Sequence, residues 1–207
     1  MTRRLLLSLA LAATPALFTT ACVAADTPGA ASAPALEKAQ WPFTATEVAT
    51  FDQPWAMSFL PDGTLLVTEK EGRLKHFNVA TRKSAEITGV PKVAYGGQGG
   101  FGDVLPHPDF AKNGFVYLSY AEEGENDTRG AAVGRAKLVL AADGSGTLED
   151  FKVIWRQTPK VEGKGHYGHR LAFGPDGKLW ITSSERQKFD PAQDMSGNLG
   201  KIIRLND

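Results

Sequence analysis

Beyond residue 40 the chain carries apolar positions in short runs rather than long periodic ones. Segments 64–69, 74–79, 115–120, 131–140, 152–155, 178–183 and 201–205 are rich in β-branched and aromatic residues and strand-sized. Gly, Pro, Asp and Asn separate them, the chemistry of tight turns. No window repeats apolar residues at helical spacing over a dozen positions, which disfavours a doubly wound α/β fold and predicts an all-β one.

The strands recur in a pattern. Residues 59–69 (FLPDGTLLVTE) and 173–183 (FGPDGKLWITS) align position for position, and Pro108-Asp109-Phe110 ahead of Val116-Tyr117-Leu118 is a degenerate third copy. In each Pro-Asp-Gly, Pro presets φ, Asp bonds nearby backbone and Gly accepts positive φ. Three unrelated hairpins would explain the turns alone. Recurrence at intervals of roughly 50 to 65 residues, each copy leading into further strands, instead predicts the blades of a β-propeller. About three blades fit into residues 41–207, whereas closed propellers use about four to eight, so the chain is expected to be the N-terminal part of a longer protein.

The N-terminus reads differently. Met1-Thr2-Arg3-Arg4, an apolar stretch from Leu5 to Phe18 and small residues up to Ala25 have the order of a secretory signal, assigned to 1–25. A cut after Ala24 or Ala25 removes Cys22, the only cysteine; a cut before it leaves Cys22 to carry a lipid anchor. Residues 26–40 (DTPGAASAPALEKAQ) lack large apolar side chains and read as a flexible linker to the folded part, 41–207. The expected location is periplasmic or secreted, with no membrane span after signal removal.

Charge and composition exclude other classes. With 23 Lys and Arg against 23 Asp and Glu there is no basic footprint for nucleic acid. One cysteine makes neither an intramolecular disulfide nor a cysteine zinc site.

Two glycine-rich segments carry the candidate chemistry. Residues 163–170 (GKGHYGHR) place His166, His169 and Arg170 on one connection just ahead of the second clear blade start. His166 and His169 lack a third ligand nearby, so the pair does not make a metal site, and Arg170 is expected on backbone carbonyls or a buried carboxylate. Residues 96–100 (GGQGG) lack the Gly-Lys-Ser/Thr ending of a phosphate loop and present one amide, Gln98, on backbone free to approach a ligand.

Taken in order, 54–63 (PWAMSFLPDG), 97–100 (GQGG), 107–110 (HPDF) with 116–120 (VYLSY), 170–177 (RLAFGPDG), 192–194 (AQD) and 199–204 (LGKIIR) resemble the soluble aldose sugar dehydrogenases that use pyrroloquinoline quinone, the glucose/sorbosone dehydrogenase family. The resemblance runs from about Pro54 to Asp207. It implies a six-bladed propeller, of which this chain supplies roughly the first half, with the quinone at the mouth of the central channel. His166 matches the general base that takes the anomeric proton while hydride passes from sugar C1 to the quinone. Glu185 matches the carboxylate that orients the imidazole, and Gln98 a hydrogen-bonding partner of quinone and sugar. Aldoses would become lactones, and the electrons would pass to an external acceptor.

The residues that clamp the quinone and hold the catalytic Ca²⁺ belong, in the family, to the second half, so this chain alone is expected to be inactive. The chain departs from the family at His169, where a small residue is usual, placing a bulky imidazole beside the expected pocket. It departs again at Gly165, where some members carry Asp, and at Ser183-Ser184 before Glu185. Two further readings stand beside this one: a calcium-dependent lactonase-type propeller, needing acidic and Asn ligands in the channel, and a non-catalytic sugar- or protein-binding propeller.

Overall fold

The computed structural model of the protein describes residues 42–206. The expected signal at 1–25, with Cys22, and the linker at 26–40 lie outside the described residues.

Strands β1 (Pro54–Phe59), β2 (Leu65–Glu69), β3 (Arg73–Asn78) and β4 (Lys83–Thr88) form one antiparallel meander. A second consists of β5 (Phe101–Pro106), β6 (Phe115–Glu123), β7 (Arg129–Leu140) and β8 (Gly146–Arg156). A third sheet has three strands, β9 (Gly168–Phe173), β10 (Leu179–Ser183) and β11 (Lys201–Leu205). The first two meanders join edge to edge only through β4 and β8, parallel over Ile87↔Gly146 and Thr88↔Thr147. Each meander is therefore a propeller blade.

The first strand of every blade lies innermost: β1 packs on β5, and β5 on β9. Ser58 Oγ donates to the Val104 carbonyl at 2.7 Å, tying β1 to β5, and Leu171 N–H donates to Asp103 Oδ2 at 2.8 Å, tying β9 to β5.

The period-two alternation of a strand decides how the blades stack. On β6, Val116, Leu118 and Tyr120 turn toward the first blade and join Leu66, Leu74, Ile87 and Phe101 in one buried cluster. Tyr117, between them, turns the other way and packs with Val133, Leu171, Leu179 and Ile181. The second blade is buried on both faces, which is why β6 reads as an almost continuous apolar run. Each fully buried Leu or Ile contributes about 1.5–3 kcal/mol, so the blade interfaces hold the molecule together.

The repeated Pro-Asp-Gly segments occupy one structural place, the turn from the first to the second strand of a blade. Gly63 N donates to Leu60 O at 2.9 Å while Asp62 Oδ1 accepts from Thr64 N at 3.0 Å. Gly177 N donates to Gly174 O at 3.0 Å and Asp176 Oδ1 accepts from Lys178 N at 3.1 Å. The glycines sit at φ 82° and 71°, where a Cβ would be strained. In the second blade His107–Phe110 holds that place, with a one-turn helix, α1 (Phe110–Asn113), inserted before β6. The sequence repeat is thus a blade repeat.

Candidate active site

Three loops meet at one end of the inner strands: residues 96–100 leading into β5, 163–167 leading into β9, and 184–189 after β10. Antiparallel pairing of Ser183 with Gly168 brings the last two side by side. The glycine loop is stitched to the histidine loop by two bonds that bracket Gly165. Gln98 N donates to Lys164 O at 2.7 Å, and His166 N donates to Gln98 Oε1 at 2.8 Å.

Close approach is what the glycines are for. A Cβ on Gly97, at φ 58°, would stand 2.7 Å from the Lys164 carbonyl oxygen, and one on Gly100 would stand 2.2 Å from that of Lys70. Lys70 Nζ donates to the Gly97 carbonyl and fixes the loop from the other side.

The third loop brings a carboxylate to the imidazole. Glu185 Oε1 is hydrogen-bonded to His166 Nδ1, and its Oε2 accepts from Lys188 N at 2.8 Å and Phe189 N at 3.2 Å. The bond to His166, reinforced by these amides, holds the carboxyl below the usual Glu range. Ionised, Glu185 only accepts, so Nδ1 carries the proton of this bond, and in the neutral imidazole Nε2 is the acceptor. The His166 side chain is 42% exposed, leaving Nε2 within reach of a ligand. The structure thus brings together all three residues picked from the sequence, Gln98, His166 and Glu185.

The serines before Glu185 have a use of their own. Buried Gln157, at the end of the second blade, donates through Nε2 to Ser183 Oγ at 2.9 Å and to Ser184 O at 2.7 Å, anchoring the carboxylate loop.

Two neighbours of His166 part company on β9. His169 does not stand beside the pocket as expected: it is 3% exposed, stacked on Tyr167 at 5.3 Å and edge-on to Trp55 at 5.6 Å. Strand alternation is the reason, since His169 shares the inward face of β9 with Leu171 while Arg170 and Ala172 face out. Among the described residues neither ring nitrogen of His169 has a hydrogen-bond partner. Burial, with the Arg186 charge nearby, pushes its pKa down to about 3. Arg170 meets a buried carboxylate, Asp103, at 3.5 Å, and lies over the Trp55 ring. Burial pushes the Asp103 carboxyl up, against its bonds from Leu171 and Val104.

Sequence reasoning missed Arg186. Its side chain is fully buried behind His166 and donates to backbone carbonyls, and nothing in a lone Arg after Glu185 signals that in sequence.

The donor set suits one edge of a polar, planar acceptor. Gln98 Oε1 is occupied while its amide N–H groups point to no partner among the described residues, His166 offers Nε2, and Lys70 and Lys164 flank the glycine loop. For a cation the fit is poor: among the described residues no three His, Cys, Asp or Glu side chains converge. A cleft of about 520 Å³, lined by Asp62, His76 and Asp143, lies at the outer strands away from His166. The site is defined by its side chains, not by cavity size.

Residues 51–207 match the family described as Glucose / Sorbosone dehydrogenase. The chain is 40% identical over 157 residues to aldose sugar dehydrogenase YliI of Escherichia coli, covering 75% of this chain and 42% of that one. Its fold is similar to a crystal structure of a glucose dehydrogenase, 44% identical with TM-score 0.70, covering 75% of this chain and 44% of the other. It is similar as well to the PQQ-bound aldose sugar dehydrogenase of Streptomyces coelicolor, 28% identical with TM-score 0.67, over 77% and 46%. The chain spans less than half the length of these relatives. Two complete blades and a three-stranded third in that share fit the first half of a six-bladed propeller.

Proposed function

The chain belongs to the glucose/sorbosone dehydrogenase family, and on that premise we propose that the full-length protein oxidises aldoses at C1, using pyrroloquinoline quinone. The observation that carries the reading is the continuous chain Gln98–His166–Glu185, with one imidazole nitrogen committed to the carboxylate and the other turned to solvent.

His166 Nε2 accepts the proton of the anomeric hydroxyl. The C1–H bond gives up its electron pair as hydride, C1 becomes a carbonyl carbon, and the product is a lactone. Glu185 holds Nδ1–H, fixes the tautomer and stabilises the imidazolium that results. Gln98 orients the backbone of His166 through Oε1 and keeps its amide N–H groups for the ligand. The quinone, when bound, supplies the two-electron acceptor. An external acceptor would take up the electrons, and the signal expected at 1–25 would direct the protein to the periplasm or the medium. The calcium that the family resemblance implies would be held by residues outside those described, so no step here depends on it. The resemblance places most of the cofactor contacts in the family's second half, so this chain alone is expected to be inactive.

The complete reading frame, supplied with pyrroloquinoline quinone and Ca²⁺, should reduce a dye acceptor when given aldoses. Reduction that requires the quinone and disappears in His166→Ala supports the assignment. Quinone binding without sugar oxidation would favour a binding propeller, and lactone hydrolysis without quinone would favour the lactonase reading.

A further inference from the structure

Arg186 is the most deeply buried cation near the site, 1% exposed, yet among the described residues no carboxylate pairs with its guanidinium. Nε donates to Gly165 O at 2.7 Å, Nη2 to Gly163 O at 2.5 Å, and Nη1 to Arg129 O on β7. Two of the three acceptors belong to the turn immediately ahead of His166. The guanidinium carbon stands 3.8 Å over the Tyr167 ring, and Arg186 N donates to His166 O at 3.2 Å. A planar fork matches several carbonyls at fixed angles as no other side chain does.

Burying a guanidinium with no carboxylate in contact is costly, and burial pushes its pKa down even with Tyr167 and the Glu185 charge nearby. The backbone around it is also strained: His166 at φ 49°, Arg186 at 61° and Gln187 at 58° are all left-handed without being glycine. Such conformations persist only where the surroundings over-determine them. The turn that Arg186 secures adds nothing to the hydrophobic core through His166, whose side chain is exposed. What it does secure is where that imidazole stands.

We propose that Arg186 is the positioning residue for His166, clamping the Gly163–Gly165 carbonyls so that Nδ1 meets Glu185 and Nε2 faces the ligand. Only the kinetic part of its test rests on the proposed dehydrogenase function.

The experiment uses the full-length protein and its Arg186→Met and Arg186→Lys variants. Methionine keeps much of the length and removes every donor; lysine keeps charge but cannot fork. Side-chain ¹⁵N shifts report the tautomer of His166, whose signals are identified by their loss in His166→Ala. Thermal melts at one pH establish that the variants fold.

Wild type should show the Nδ1–H tautomer alone. Arg186→Met should mix the two tautomers and lower kcat about 10- to 100-fold with KM within about threefold, the signature of a misplaced catalytic group. Arg186→Lys should fall between, and it decides the matter if the methionine variant does not fold. Wild-type tautomer and kcat in the folded variants would overturn the proposal, as would a wild-type His166 not protonated at Nδ1. If wild type oxidises no sugar while the tautomer still depends on Arg186, the dehydrogenase reading fails and the positioning role stands.

Discussion

Replacing His169 by phenylalanine should make the full-length protein more resistant to acid. The imidazole is enclosed by Tyr167 and Trp55, with Arg186 as the charged group beside it, and the Ser119 hydroxyl bonds the backbone oxygen of His169, not the ring. Its pKa is pushed from 6.5 down to about 3, chiefly by burial and then by Arg186. In the folded protein His169 is therefore neutral throughout the range from pH 7 to pH 5. In the unfolded chain it takes up a proton as pH falls through about 6.5. The unfolded state then binds more protons than the native state, so stability is lost on acidification, starting near 6.5 and levelling off near 3. Each pH unit in that window is worth about 1.4 kcal/mol, and between pH 7 and pH 5 the loss integrates to about 2 kcal/mol.

Phenylalanine keeps the aromatic volume between Tyr167 and Trp55 and removes the titration together with two polar atoms that have no partner among the described residues. Urea unfolding of both proteins at pH 7, 6 and 5 gives the comparison. Carboxylates that titrate in both proteins cancel in the difference. The stability of His169→Phe relative to wild type should rise by about 2 kcal/mol from pH 7 to pH 5. Parallel profiles, with the difference constant within about 0.5 kcal/mol, would refute the picture of a neutral imidazole sealed from solvent.

Other changes test the remaining contacts. His166→Ala in the full-length protein should lower kcat about 10²- to 10⁴-fold with little change in quinone affinity, read from steady-state dye reduction and quinone titration. Gly97→Ala puts a Cβ 2.7 Å from Lys164 O at a left-handed φ, so it should separate the loops joined by Gln98. A loss of about 1–3 kcal/mol in denaturant unfolding, with reduced turnover, is expected. Asp103→Ala leaves the Leu171 N–H without its acceptor between β5 and β9 and should cost about 1–3 kcal/mol by the same assay.

The strands legible in the sequence are the middle ones of each blade. β2, β3, β6, β7, β10 and β11 fall on segments whose apolar residues mark them, and 152–155 lies within β8. The strands that left no clear signal are β1, β5 and β9, all innermost, and the outer β4. Crowding explains the inner ones. On β5, Gly102 is required because a Cβ there would stand 2.6 Å from His169 Cγ, and Asp103 is retained to bridge to β9. β9 opens on Gly168 at φ 94°, and β1 opens on Pro54 with a register shift beside it. Glycine, proline and buried polar residues read as turns in one dimension. β4 fails for the opposite reason: only Ile87 is buried and four of its six residues are exposed.

The site follows a similar divide. Glycine loops around Gln98 and His166 were visible as glycine loops, but no spacing rule joins positions 98, 166 and 185; their assignment came from the family resemblance. Arg186 and the inward turn of His169 depend on which face of a strand meets which blade, and a single sequence does not state that.

Blade repetition supplies the missing geometry. Gln98 lies three residues before β5 and His166 two residues before β9, so each precedes the innermost strand of its own blade by nearly the same distance. Consecutive inner strands run side by side around the axis, so equivalent positions ahead of them become neighbours across 68 residues of sequence. The carboxylate comes from the return connection of the third blade, which antiparallel pairing carries back to the same end. A shift of β9 against β5 would move His166 away from Gln98 while leaving His166 and Glu185 together, because that pair lies within one blade. Contacts between blades, Asp103 to Leu171 among them, therefore govern how the base meets Gln98, whereas the tautomer is set by the His166–Glu185 bond, which lies within the third blade. Asp103→Ala should accordingly weaken ligand binding before it disturbs the His166 tautomer, a separation that a site built on one rigid loop would not show.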